Sequence, residues 1–197
     1  KGKFILKTIN RFSGIDWGTK DMAIAYDTWW NTRNRKSYVF NPSNPNIKPK
    51  IISDRNYQDT YSDPGNFLRS RNEFNRSVLK MHYGNIFLRG QGFSPSGQFP
   101  FIDKVNTKTF EKTRVYQSSY TDKIESIIDY APKKNQLTVS IESPSEYPNY
   151  YTKKVKSGKL EKLTNLKNPF LELQNVKKEK ITYLRNDGVE LSGILYL

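Results

Sequence analysis

Phe101 to Tyr116, FIDKVNTKTFEKTRVY, and Tyr150 to Asn165, YYTKKVKSGKLEKLTN, read as one pattern written twice. Each opens on an aromatic residue, reaches a valine, breaks at a short Thr/Ser/Gly turn and resumes as a polar-leading strand. Val105 and Val155 are 50 residues apart, close to the period of propeller blades. A unit that repeats on this scale cannot bury its apolar face alone and stacks against its neighbours.

Working outward, the chain falls into short runs of period-2 alternation separated by turn residues, with little helical periodicity. The first unit reads as strands at Arg11–Trp17, Met22–Trp30, Lys36–Phe40 and Lys50–Ser53. The second reads as Val78–Met81 and Asn85–Arg89, a turn at Ser94–Gly97, then Phe99–Val105 and Thr113–Tyr116. The third reads as Glu125–Tyr130, a turn at Pro132–Asn135, then Gln136–Glu142, Asn149–Val155 and Leu160–Thr164. Four antiparallel strands per unit describe β-propeller blades; a jelly roll or sandwich uses similar strands. The predicted fold is all-β: a partial β-propeller of about three four-stranded antiparallel blades.

The predicted divisions are residues 1–53, a blade; 54–75, an inserted loop; 76–119 and 120–167, two further blades; and 168–197, a linker and a closing hairpin. Residues 54–75 alternate acidic and basic groups around Asp63-Pro64-Gly65, a turn signal. In the closing hairpin, Asn186-Asp187-Gly188 joins Ile181–Arg185 to Val189–Leu197, because Asp and Gly tolerate positive φ. The returning strand reaches Ile194-Leu195-Tyr196-Leu197 without a cap. This predicts a piece of a longer protein, with exposed blade edges that a second copy of the chain could cover.

Composition narrows the function classes. Of 197 residues 35% are hydrophobic and 14% aromatic, with 13 Tyr and 11 Phe; a chain so rich in aromatics is not disordered. There is no Cys and a single His, which argues against disulfides and leaves a transition-metal site poorly supplied. Neither a metal nor a cofactor is expected. No apolar run reaches the length of a membrane helix, so no membrane partner is expected. The net charge of +14 invites a nucleic-acid reading. However, Lys153, Lys154, Lys156, Lys159 and Lys162 fall on both faces of their strands and form no stripe. Nucleic acid is therefore disfavoured as a partner.

Catalytic groups are scarce. Gly92-Phe93-Ser94-Pro95-Ser96 only approaches a nucleophile elbow, and Pro95 removes the N–H that an oxyanion hole would need. His82 stands beside a predicted hairpin turn. No catalytic residue is assigned. Arginines are the more informative residues, because a guanidinium fork grips carboxylate in two places. The substrate-binding candidates are Arg33, Arg35, Arg69, Arg71 and Trp30. Against this stands an ordinary ion pair to Asp54, Asp59 or Asp63. Trp29 and Trp30 are adjacent on a strand and face opposite sides, so one is expected to pack between blades.

Four ordered stretches carry a resemblance: Trp29–Arg35; Ser53-Asp54-Arg55 with Tyr61–Gly65 and Leu68-Arg69; Gly90–Gly97 with Pro100–Asp103; and Lys178-Glu179 with Tyr183 and Arg185–Leu191. In these the chain resembles the propeller portion of the prolyl oligopeptidase (S9) family of serine peptidases, glutamyl endopeptidase-like branch. The resemblance implies a parent enzyme that cleaves short peptides by Ser-His-Asp chemistry, with the propeller gating access. It also implies that the closing hairpin opens an α/β-hydrolase domain, which would be this chain's partner beside the peptide substrate. Arg69, Arg33 and Arg35 match the family pattern. The Gly-x-Ser-x-Gly elbow has no counterpart here, so these residues alone are expected to be inactive. The competing reading is a stand-alone β-rich binding module for peptide, glycan or nucleic acid. Localisation is left unassigned, with the bacterial periplasm and the cytoplasm both compatible.

Overall fold

Three successive antiparallel meanders build the chain. The structure is a computed structural model and describes residues 2–173 and 175–197. Sheet 1 holds β1 (Arg11–Thr19), β2 (Met22–Trp29), β3 (Asn34–Phe40) and β4 (Lys50–Asn56), hydrogen-bonded in that order. The chain then forms β5 (Asn66–Phe67), the small hairpin β6 (Arg69–Arg71) and β7 (Ser77–Leu79), and β8 (Met81–His82). Next comes β9 (Asn85–Gly90). A two-residue-per-arm hairpin, β10 (Phe93–Ser94) and β11 (Gly97–Gln98), precedes β12 (Phe101–Asn106) and β13 (Lys112–Gln117). Sheet 2 runs β13-β12-β9, and β5 and β8 share the free edge of β9. Sheet 3 is β14 (Ile124–Ala131), β15 (Gln136–Glu142), β16 (Asn149–Lys154) and β17 (Leu160–Lys162). After a 3-10 turn at Leu171–Leu173, β18 (Lys178–Leu184) and β19 (Glu190–Tyr196) form a two-stranded sheet of their own among the described residues.

The fold is thus all-β, and its meanders stack as consecutive propeller blades do. The pleat explains the stacking. On β9, Ile86 and Leu88 point one way and Phe87 the other. Ile86 and Leu88 pack with Met22, Ile24, Leu79 and Val105 in the seam between sheets 1 and 2. Phe87 packs with Ile102, Ile127, Leu137, Val139 and Ile141 in the seam between sheets 2 and 3. A central strand buried on both faces reads as a continuous apolar run, here Ile86-Phe87-Leu88. The other face of sheet 1 is covered by Ile5 and Leu6, which pack on Ala23, Ala25, Tyr38 and Phe40.

The second seam is also tied by charge. Tyr116 on β13 donates its hydroxyl to the Glu125 carboxylate on β14. Lys153 on β16 reaches the other Glu125 oxygen at 2.8 Å and the Tyr116 hydroxyl oxygen at 2.5 Å. Glu125 is 1% and Lys153 8% exposed, so Lys153 leaves the lysine cluster and serves the interior. Arg89 donates to the backbone carbonyls of Ile127 and Ile128, and Lys80 pairs with Asp129.

Residues 54–75 are only partly a loop. β4 continues through Asn56, and β5 and β6 lie within the stretch. Gly65, at φ +84°, lets the chain pass so close to β9 that a Cβ would strike the Arg89 carbonyl. Gly90 faces Phe101 across the ladder, and the ring occupies the space a side chain would need.

Candidate functional site: a cationic cleft between sheets 1 and 2

Alternation along β3 sends Arg35, Ser37 and Val39 to the face that meets sheet 2, and Lys36, Tyr38 and Phe40 to the other. Val39 joins the seam core. Toward the Arg35 end the inner face of sheet 1 becomes polar, and the seam opens into a cleft of about 510 Å³. Tyr26, Arg35, Ser37, Ser53 and Arg55 line it from sheet 1, and Phe67, Leu88, Val105, Phe110 and Lys112 from the facing side. A second cleft, of about 480 Å³, adjoins it and shares Tyr26, Arg35, Asn66 and Phe67. It adds Asp16 of β1, Arg69, Arg89, and Ile128 and Asp129 of β14. All three sheets contribute to it.

Arg35 stands at the junction. It lies directly opposite Arg55 in the β3–β4 ladder, a like-charge pairing that costs stability. Arg55 is compensated: its guanidinium is 3.6 Å from Asp63 and donates to the Asp59 carbonyl. Among the described residues Arg35 has no ion pair and no side-chain hydrogen bond. Its guanidinium rests 4.7 Å from the Tyr26 ring centroid. Tyr26 is itself pinned, its hydroxyl donating to Asp16 Oδ2 at 2.7 Å. The other Asp16 oxygen is held by Arg69 at 2.6 Å. Burial, then the hydrogen bond to Asp16, pushes the Tyr26 phenol far above its ordinary range. An unpaired guanidinium on a fixed aromatic platform can accept a carboxylate without first breaking an ion pair.

The five sequence candidates separate. Arg35 and Arg69 meet in the second cleft. Arg69 is already engaged, and by Asp16 rather than Asp54, Asp59 or Asp63. Arg33 and Trp30 stand at the β2–β3 turn, with the Arg33 guanidinium 3.8 Å from the Trp30 ring centroid. Arg33 Nη1 is buried without a hydrogen-bond partner among the described residues. Arg71 donates to the Asn75 carbonyl in the β6–β7 turn. Neither Trp29 nor Trp30 packs between sheets; they are 47% and 72% exposed, at the last residue of β2 and the first of the β2–β3 turn. The sequence reading did not single out Asp16, Tyr26 or Arg89, and named Arg55 only within a stretch that carries the resemblance. Period-2 alternation from Val39 would have placed Arg35 on the seam side, but the Asp16 contact joins residues far apart in sequence.

Ser94 donates to the Gly97 carbonyl within its own turn, and His82 stacks on Tyr83. No group of three His, Asp or Glu side chains able to hold a metal ion occurs among the described residues.

No family model matches the chain. It is 30% identical over 202 residues to "Probable glutamyl endopeptidase, chloroplastic" of Arabidopsis thaliana, across 95% of this chain and 21% of that protein. The protein of the same description from Oryza sativa subsp. japonica is 31% identical, with the same shares covered. Among solved structures, apo AtxE2 isopeptidase aligns with 93% of this chain and 25% of that one at TM-score 0.44 and 12% identity. TolB from Acinetobacter baumannii aligns with 93% and 37% at TM-score 0.40 and 14% identity. By sequence, this chain is similar to a segment of about a fifth of two plant proteins named as glutamyl endopeptidases.

Proposed function

We propose that this chain is the non-catalytic propeller segment of a serine peptidase of the prolyl oligopeptidase family, where it gates and selects short peptides. The observation that carries the proposal is the match across 95% of the chain to proteins named as glutamyl endopeptidases. In this reading residues 168–197 link the blades to the hydrolase domain and supply its first hairpin. The nucleophile, its base and its oxyanion donors belong to that domain. The two clefts face the peptide, and Arg35 receives a substrate carboxylate. Arg35 suits this role because it is the cleft arginine left without a partner among the described residues, whereas Arg69 is spent on Asp16. Arg33 and Trp30 pack on each other at the β2–β3 turn and Arg71 closes the β6–β7 turn, so they are left out of the substrate-binding role.

The test uses the full-length parent. Arg35→Gln is expected to lower kcat/KM for peptides with Glu at the cleaved bond by tenfold or more. Peptides with Gln there should be cleaved as before, and labelling by a serine-directed fluorophosphonate should be unchanged. An unchanged Glu-to-Gln ratio would sink the carboxylate role. A native polypeptide no heavier than this chain, by immunoblot of source cells, would sink the parent-enzyme reading.

A further inference from the structure

The larger cleft has an apolar floor that a carboxylate does not use. Ile52, Phe67, Leu88, Val105 and Phe110 line it beneath the Arg35 rim. These side chains are the uncovered margin of the seam core: Leu88 and Val105 belong to the core, and Ile52, Phe67 and Phe110 pack against it half-buried. Core residues facing a cavity of about 510 Å³ lose dispersion contacts on the open side, and that volume lies within the range of small-ligand sites. Two of the cleft's cations, Arg35 and Lys112, are not balanced by its own carboxylates. Asp54 pairs with Lys36 and Asp63 approaches Arg55, while neither Arg35 nor Lys112 has an ion pair among the described residues. Arg55 Nε is buried with no acceptor among them. The site therefore offers unpaired positive charge beside apolar side chains.

We infer that this cleft is a second subsite, which takes a large apolar side chain next in sequence to the acidic residue held by Arg35. The groove reads two neighbouring residues: a carboxylate at the junction of the clefts, and an aromatic or branched aliphatic side chain over Phe110, Leu88 and Val105. Apolar burial supplies affinity and the guanidinium fixes the register of the peptide. This rests on the substrate-selecting reading above and adds to it a preference at a second position.

The experiment is a 1H–15N NMR titration of the 197-residue chain with two sets of capped dipeptides: acetyl-Glu-Phe-amide with acetyl-Glu-Ala-amide and acetyl-Gln-Phe-amide, and acetyl-Phe-Glu-amide with acetyl-Ala-Glu-amide and acetyl-Phe-Gln-amide. One of the two Glu/Phe probes is expected to shift amides of β3, β4 and the Phe110 turn. Replacing its Phe by Ala, or its Glu by Gln, should weaken binding at least tenfold. These comparisons change only the probe, so they hold even if a variant fails to fold. Phe110→Ala should then erase the Phe-over-Ala preference and keep Glu over Gln; Arg35→Gln should do the reverse. Equal binding of the Phe and Ala probes, or no saturable shift with either Glu/Phe probe, would overturn the second subsite. In the Phe/Ala case a surviving Glu-over-Gln preference would leave the carboxylate role of Arg35 standing. If no probe binds, the full-length assay above decides that role separately.

Discussion

Tyr26 lies beneath Arg35 and is fastened there by Asp16, so a residue of β2 sets where a cation of β3 points. Tyr26→Phe keeps the ring and removes the hydroxyl that Asp16 accepts from. Asp16 is 6% exposed, and losing a hydrogen bond to a buried charge is expected to cost about 1.5–3 kcal/mol. Tyr26→Leu removes the platform as well, adding about 0.5–1 kcal/mol for the lost cation–π contact. Urea unfolding should rank wild type above Phe and Phe above Leu. Combining Arg35→Gln with Tyr26→Leu should cost less than the two single changes added together.

Alkaline pH should loosen sheet 1 through Tyr38. Its hydroxyl donates to Asp27 Oδ2 at 2.7 Å. Burial, then this hydrogen bond to a carboxylate, pushes the phenol up from 10.0 to about 12. The folded chain therefore favours the protonated phenol. The stability that this supplies is complete below pH 10 and is lost as pH rises through about 12. Tyr38→Phe should lower the melting temperature at neutral pH and flatten its fall across that window. In a spectrophotometric titration, Tyr38→Phe should remove one phenol that ionises near pH 12. A parallel fall in Tm for wild type and Tyr38→Phe between pH 10 and 12 would refute the assignment.

The Glu125–Lys153 pair should show strong non-additivity. Lys153→Met leaves Glu125 charged in the interior, which is expected to cost about 3–5 kcal/mol. Glu125→Leu strands Lys153 in the same way. The double variant removes both charges together and should be closer to wild type than either single one. Denaturant unfolding of the four proteins closes the cycle. Additive losses would mean that the two side chains do not compensate each other.

Much of the fold was legible because the strands obey period 2 and the turns use turn chemistry. Met22–Trp29, Asn85–Gly90 and Gln136–Glu142 fall where alternation or an apolar run predicts strands. Gly188 takes positive φ in the closing turn. The seams were less legible. That Ile86 faces sheet 1 while Phe87 faces sheet 3 follows from the pleat, but which sheet lies on which side is a tertiary fact. At the site, sequence pointed to arginines as a class. It could not distinguish Arg35 from Arg69, because the difference lies in Asp16, 19 residues from one and 53 from the other. Lys153 read as one of a solvated cluster; only the approach of Tyr116 and Glu125 explains its burial.

The two seams also give the molecule unequal mechanics. Hydrogen bonds from Tyr116 to Glu125 and from Arg89 to the Ile127 and Ile128 carbonyls clamp sheet 3 to sheet 2 along their contact, whereas sheet 1 meets sheet 2 like a book cover: Met22, Ile24, Leu79 and Ile86 form the spine, and Arg35 and Arg55 lie toward the fore-edge. A small rotation about that spine widens the fore-edge without uncovering the spine. Backbone amides near Arg35 and Arg55 should therefore exchange with solvent sooner than those of β15, and a molecule wedged at the fore-edge would set the angle between the first two sheets.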